Sequence, residues 1–327
     1  MDTTRIKSYL TWLKNLQTSQ LYLKECYSSL PDPRGEGKSY ENSAGFLYYL
    51  DQGQLFLEEA ERVDDRIKPL LCFYGLTHLM KACLLTTRPD YPESTSILAH
   101  GVTSRKRKKK QYTFYDDEVK IQQNGLFSYA FDHLFQLNRL PFEKMKMKTL
   151  FGLIPEMNDF LDWDESRKCV EIGDLYSKSL HFSQELLDAY HLTEKSFVHR
   201  LEATGLPLHT TGRTKKHLTV KLKMPILHSI GPFYFHLEKE KIYFPCNRDD
   251  FIKVPEILIH YLLLYNLSMV SRYETEYWGE LFTTKYGEDY SIISHYLSFA
   301  SRKVLHLCGD YLMLKPEEKL IARRESH

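Results

Sequence analysis

Two stretches of the chain are apolar almost all the way round. Residues Leu70 to Leu85 (LLCFYGLTHLMKACLL) and Ile257 to Trp278 (ILIHYLLLYNLSMVSRYETEYW) carry too few polar positions for surface helices, so each must bury most of its circumference. The economical expectation is that they pack against each other. Upstream, Ile6, Tyr9, Leu10, Leu13, Leu16, Leu23, Cys26 and Tyr27 recur at three- and four-residue intervals, which predicts one amphipathic helix over residues 5–30. The run from Pro31 to Gly37 (PDPRGEG) ends it, because proline and glycine do not sustain a helical backbone. A second helix is expected from Asn42 or Ser43 to about Arg62, and a third from Pro69, a residue tolerated in a first helical turn.

The period changes in the middle of the chain. Tyr112 to Ile121, Lys168 to Ile172, Leu218 to Met224 and Phe233 to Phe244 alternate and are rich in aromatic and β-branched residues. That predicts strands, the last stretch as a hairpin turning at Lys239-Glu240. Phe182 to Tyr190 and Glu194 to Glu202 read as helices. Helical periodicity resumes from Val254 to Trp278 and from Tyr290 to Leu314, followed by a charged tail that should fray. The expected fold class is therefore mainly α with an α+β insertion. Its divisions are residues 1–104 for the N-terminal helices, 105–252 for the insertion and 253–327 for the C-terminal helices that complete one bundle.

Composition changes this picture little. With 44 basic against 43 acidic side chains, the net charge of +1 gives no field that demands a polyanion. Locally the balance differs: residues 101–225 hold 21 lysines and arginines against 16 aspartates and glutamates. No continuous apolar core of a leader peptide and no run approaching about 18 apolar residues is present, so a cytoplasmic protein without a membrane segment is expected. The six cysteines are scattered, without a CxxC pair, and read as reduced thiols.

The cationic run Arg105, Lys106, Arg107, Lys108, Lys109 and Lys110 follows His100-Gly101 and would attract phosphates by charge. Arg213, Lys215 and Lys216, near a Thr-Thr-Gly turn, form a second cluster, and Lys144, Lys146 and Lys148 a third. Gly101 would permit a positive φ or a close backbone approach beside His100. Arg272 is placed to pair with Glu276 at i+4 and to stack on Tyr273 or Trp278. His100, Arg105–Lys110, Arg213, Lys215, Lys216 and Arg272 are thus the expected contacts with a phosphate or a partner. No metal-ligand spacing, GxSxG or phosphate loop is found, and GEGKS at Gly35–Ser39 lacks the preceding strand of such a loop. No catalytic residue and no cofactor is expected.

The stretch SAGFLYYLDQGQLFLEEAERVDDRIKPLLCFYGLTHLMKACLL, the His100-Gly101 pair and LSMVSRYETEYW together resemble the YaaC-like proteins over essentially the whole chain. More remotely, FYGLTHLMKACLL followed by a loop ending in HG is similar to the HEPN helical bundle, for residues 40–104 and 255–314. The first resemblance implies a regulatory or adaptor protein of purine nucleotide metabolism. On that resemblance it is expected to act through a protein partner, for which IMP dehydrogenase is the candidate, and a nucleotide ligand. The second implies an RNA-binding protein or ribonuclease, often paired with a second copy of itself. RNA-cutting members carry Arg, four to six residues, then His; here Arg302 and His306 have three between them, so the motif is at best degenerate. A toxin–antitoxin component is a third class.

Overall fold

A computed structural model describes residues 3–28, 30, 35–104, 112–137, 140–162, 168–214 and 216–325. The chain divides into two compact units: residues 1–147 with 260–327, and residues 148–259. The described stretch 112–137 therefore belongs with the helices, and the mixed unit begins at Lys148.

In the helical unit, α1 (Thr3–Leu13) and α2 (Leu16–Tyr27) replace the single helix expected there. The Asn15 side chain accepts hydrogen bonds from the N–H groups of Gln17 (3.0 Å) and Thr18 (3.2 Å), so it caps a new helix rather than continuing the old one. Helix α3 (Gly35–Ala60) starts earlier than its apolar pattern does. Gly35 and Gly37 lie in the first turn, where the N–H groups have no intrahelical partner and helix propensity counts for little. The GEGKS stretch is thus helix, neither turn nor phosphate loop.

Helix α4 (Lys68–Leu85) lies close against α3. The approach depends on Gly53 and Gly75: a Cβ on Gly53 would lie 2.8 Å from the Leu79 side chain, and one on Gly75 3.1 Å from Gly53 O. Strands β1 (Val102–Ser104), β2 (Glu118–Ile121) and β3 (Lys144–Lys146) form a small antiparallel sheet in that order, with Val102 opposite Ile121 and Val119 opposite Met145. Helix α5 (Leu126–His133) follows β2. The strand expected over Tyr112–Ile121 is formed only at its end. The N–H groups of Phe114 and Tyr115 are donated to the Asp289 carboxylate (2.6 and 2.9 Å) instead of to a neighbouring strand.

In the mixed unit, α6 (Met147–Gly152) and α7 (Pro155–Asp162) precede two three-stranded antiparallel sheets. One is ordered β4 (Cys169–Asp174), β9 (Lys241–Pro245), β8 (Tyr234–His236), the other β5 (Ser179–Ser183), β7 (His217–Leu222), β6 (Leu208–Arg213). The hairpin turns as expected, with Glu240 in the left-handed region at φ 52°. Phe182 belongs to β5; helix α8 (Gln184–Ala189) begins only after Ser183, whose hydroxyl caps Leu186 N–H. Helix α9 (Glu194–Glu202) closes the core, in which Phe182 meets Phe197 and Phe244 edge-on at 5.2 Å.

The C-terminal helices are α10 (Glu256–Tyr273), α11 (Thr275–Thr284) and α12 (Glu288–Glu325). The two apolar blocks meet within the helical unit, where Phe73 of α4 lies edge-on to Tyr261 (5.2 Å) and Tyr265 (5.6 Å) of α10. Helix α12 also packs along α4, and His260 Nδ1 lies 2.9 Å from the Tyr296 hydroxyl on α12. Helix α12 runs past its expected end and through Pro316. Proline supplies no N–H to the carbonyl four residues back. That carbonyl, Leu312 O, accepts the Tyr22 hydroxyl instead at 2.8 Å.

Candidate anion-binding site

Tyr74, His78 and Lys81 recur at i, i+4 and i+7 on α4, so they share one helix face. That face is matched by Tyr49 and Phe56, one heptad apart on α3. His78 stacks on Phe56 (5.7 Å between centroids, 14° between planes), Tyr49 lies 6.0 Å away, and Lys81 Nζ sits 5.6 Å from the centre of the Tyr49 ring. All five side chains are half-buried.

His100 is delivered to the same neighbourhood by a tightly held loop. Its carbonyl accepts the Phe127 N–H (3.3 Å) and the Tyr261 hydroxyl (3.0 Å), while Ala99 O accepts Leu126 N–H (2.7 Å). Gly101 has φ +76° and Gly125 φ +126°; a Cβ on Gly101 would lie 3.1 Å from the Gly125 backbone, and one on Gly125 would lie 2.9 Å from Ala99 O. Both features expected of Gly101 are therefore present: positive φ and a close approach. The imidazole is left edge-on to Phe73 (5.0 Å) and Tyr265 (5.8 Å).

Arg272, in the last turn of α10, donates Nε–H to Ser268 O (2.9 Å) and contacts Met269 Sδ (3.3 Å), with its guanidinium 5.2 Å from the Tyr273 ring centre. The expected pair with Glu276 does not form. Helix α10 ends at Tyr273 and Glu274 leaves helical geometry (φ −114°, ψ 52°), so the i+4 register is broken.

Lys81 acts on both imidazoles, and Arg272 on that of His100. Burial, then the charges of Arg272 and Lys81, push the His100 pKa below its ordinary value. Burial and Lys81 do the same to His78, and burial lowers Lys81 itself. Four basic side chains from three separate segments thus converge, and among the described residues none has a carboxylate partner. The carboxylates of the adjoining loop are engaged elsewhere: Asp90 with Lys38 (3.1 Å), and Glu93 with Arg88 (2.9 Å) and the Tyr129 hydroxyl (2.9 Å). The Tyr91 hydroxyl, between them in sequence, is buried without a hydrogen-bond partner. Half-buried cations without counter-charge are unfavourable to fold. A ligand anion would supply the missing charge.

Of the residues expected at a phosphate site, His100 and Arg272 are brought together here. Arg213 stands in the mixed unit, exposed and bound to Glu194 (2.7 Å) and Gln184 (3.3 Å), and Lys216 is exposed next to β7. Arg105, Lys106, Arg107, Lys108, Lys109, Lys110 and Lys215 lie outside the described residues. His78 and Lys81 escaped sequence reasoning, although the polar and aromatic positions 74, 78 and 81 interrupt an otherwise apolar helix at one-face spacing. The degenerate Arg302 and His306 pair gains no support, since Arg302 is exposed while His306 is 4% exposed.

No curated protein and no solved structure matches the chain. Among the described residues, no helix is long and apolar enough to cross a membrane. A family model described as YaaC-like Protein matches residues 11–312. That match spans both units and every element of the cationic and aromatic face, and the chain therefore belongs to the YaaC-like family.

Proposed function

We propose that this protein is a regulatory or adaptor protein that binds a phosphorylated aromatic ligand, a nucleotide, on the face formed by His78, Lys81, His100 and Arg272. The observation that carries the reading is the gathering of four basic groups with no carboxylate among the described residues, set among Tyr49, Phe56, Phe73 and Tyr265. Cations answer phosphate charge and ring faces answer a base. Among the described residues, neither imidazole has a carboxylate to hold one tautomer for proton transfer, which favours binding over chemistry. The partner class is a protein of purine nucleotide metabolism, with IMP dehydrogenase as the first candidate. Calorimetric titration of the full chain with IMP, GTP and pyrophosphate tests the ligand. Saturable binding that is lost on combining Lys81→Ala with Arg272→Ala supports the reading, and heat-silent titrations with all three overturn it. Recovery of a purine-pathway enzyme at stoichiometric levels from native cells tests the adaptor role, and its absence counts against docking.

A second reading is an HEPN-like RNA-binding bundle. It draws support from α3, α4, α10 and α12 contributing to one helical unit from both ends of the chain. RNA phosphates would satisfy the same cations. It predicts affinity that falls steeply with salt, roughly in proportion to the number of phosphates neutralised; binding of mononucleotides unaffected by salt removes it.

A further inference from the structure

The helical unit carries a cavity opposite in character to the cationic face. It encloses about 530 Å³ and is walled chiefly by Tyr112, Tyr115, Tyr277 and Tyr286 with Glu280 and Glu288 at its edge, a volume within the range of small-ligand pockets. Among the described residues, no lysine or arginine lines it.

The rings are fixed by what their hydroxyls do. Tyr277 donates to Asp289 (2.7 Å) and Tyr112 to Asp117 (2.8 Å), an oxygen that also accepts the Asn266 amide (3.0 Å). Asp289 is itself filled by the Phe114 and Tyr115 N–H groups, so it is a structural anchor. With hydroxyls drawn inward, the ring planes of Tyr112 and Tyr277 stand at 80° with centroids 4.9 Å apart, two walls of a corner. Tyr286 stands at the rim, 88% exposed, and Glu280 and Glu288 are exposed there without a cationic partner among the described residues. A rim of carboxylates alone would be ordinary solvated surface. Orthogonal π faces with carboxylates at their edge are what a cation on a carbon chain seeks, because ring quadrupoles attract it and do not require its full dehydration. The carboxylates are too dispersed for an inorganic ion: among the described residues no group of three potential ligands can hold a metal.

We propose that this corner binds an organic cation, a primary ammonium or guanidinium group on a flexible chain, with Tyr112 and Tyr277 as walls, Tyr286 as the closing face and Glu280 and Glu288 as counter-charge. The source is either a free polyamine or a lysine or arginine side chain of a protein partner. The site is independent of the nucleotide face, and its test does not pass through that ligand.

The experiment is calorimetric titration of the full chain with spermidine, with an end-blocked lysine/arginine hexapeptide and with magnesium chloride. The wild type is compared with Tyr286→Ala and with the double variant Glu280→Gln/Glu288→Gln. These three side chains are exposed and outside the Asp289 anchor, so the variants keep the fold; unchanged far-UV circular dichroism and urea midpoint verify this. The expected result is saturable binding of one organic probe, weakened about fivefold by Tyr286→Ala and about tenfold by the double variant. Preference for spermidine assigns a free polyamine, and preference for the peptide assigns a partner side chain. Binding of neither probe overturns the proposal. So does binding that Tyr286→Ala leaves unchanged, or that magnesium matches at equal concentration, since the aromatic corner would then contribute nothing.

Discussion

Replacing Lys81 by methionine should separate binding from stability. The ammonium has no carboxylate partner among the described residues; it sits over the Tyr49 ring face at 5.6 Å, an interaction of about 0.5–1 kcal/mol at a partly exposed site. Removing the charge forfeits that attraction but also relieves the cost of its burial and its repulsion of His78 and His100. Screening at a half-buried position keeps both effects small and of similar size, and methionine preserves the packing of the stem. The net change in unfolding free energy should stay within about 1 kcal/mol of zero. A phosphate bound on this face loses one charge-assisted hydrogen bond, about 1.5–3 kcal/mol, or roughly 10- to 150-fold in Kd. Urea denaturation gives the first quantity and nucleotide titration the second. A stability loss above about 2 kcal/mol, or a Kd changed by less than about threefold, would refute the reasoning. The first would mean that Lys81 serves the fold, the second that it does not meet the ligand.

Asp289→Ala should cost about 3–5 kcal/mol, because it strands the Phe114 and Tyr115 N–H groups and the Tyr277 hydroxyl; Asp289→Asn should cost less than half of that, both read from urea midpoints. Gly125→Ala should destabilise by about 3 kcal/mol or more and abolish nucleotide binding, because its Cβ would displace the Gly101 backbone and with it His100. The His78 and His100 pKa values are pushed below the usual 6.5, so the folded chain binds fewer protons than the unfolded chain between those lowered values and 6.5. Stability present above pH 6.5 is then lost as pH falls through that window, and His100→Gln should flatten part of the fall in Tm. A bound phosphate raises the same imidazoles, so binding should take up protons and tighten between pH 8 and 6, measurable by titration in buffers of different ionisation enthalpy. Arg302→Ala should leave nucleotide and RNA binding unchanged, since that side chain faces solvent.

Much of the architecture was legible because local chemistry and burial agree. The strands of the mixed unit alternate, Pro69 starts α4, and the round-the-clock apolarity of residues 70–85 and 257–273 follows from helices enclosed on several sides. Three of the misreadings share a cause in side chains that take over backbone partners. Asn15 caps a helix in mid-pattern, Asp289 takes the amides of an expected strand, and Tyr22 occupies the carbonyl that Pro316 leaves open. Each such bond joins a backbone group to a side chain that a repeating apolar pattern does not register.

The sequence by itself determined the mainly helical class, the mixed insertion, the family, and the tight backbone at Gly101. Periodicity and turn chemistry act over a few residues, and those features are written at that range. Only the tertiary structure decided that His78 and Lys81 join His100 and Arg272. Lys81, His100 and Arg272 come within reach of one another's charges through packing of α4, a glycine-locked loop and α10. Whether a cation is paired or left for a ligand depends on which carboxylates arrive beside it, and that is settled by packing across nearly two hundred residues of chain.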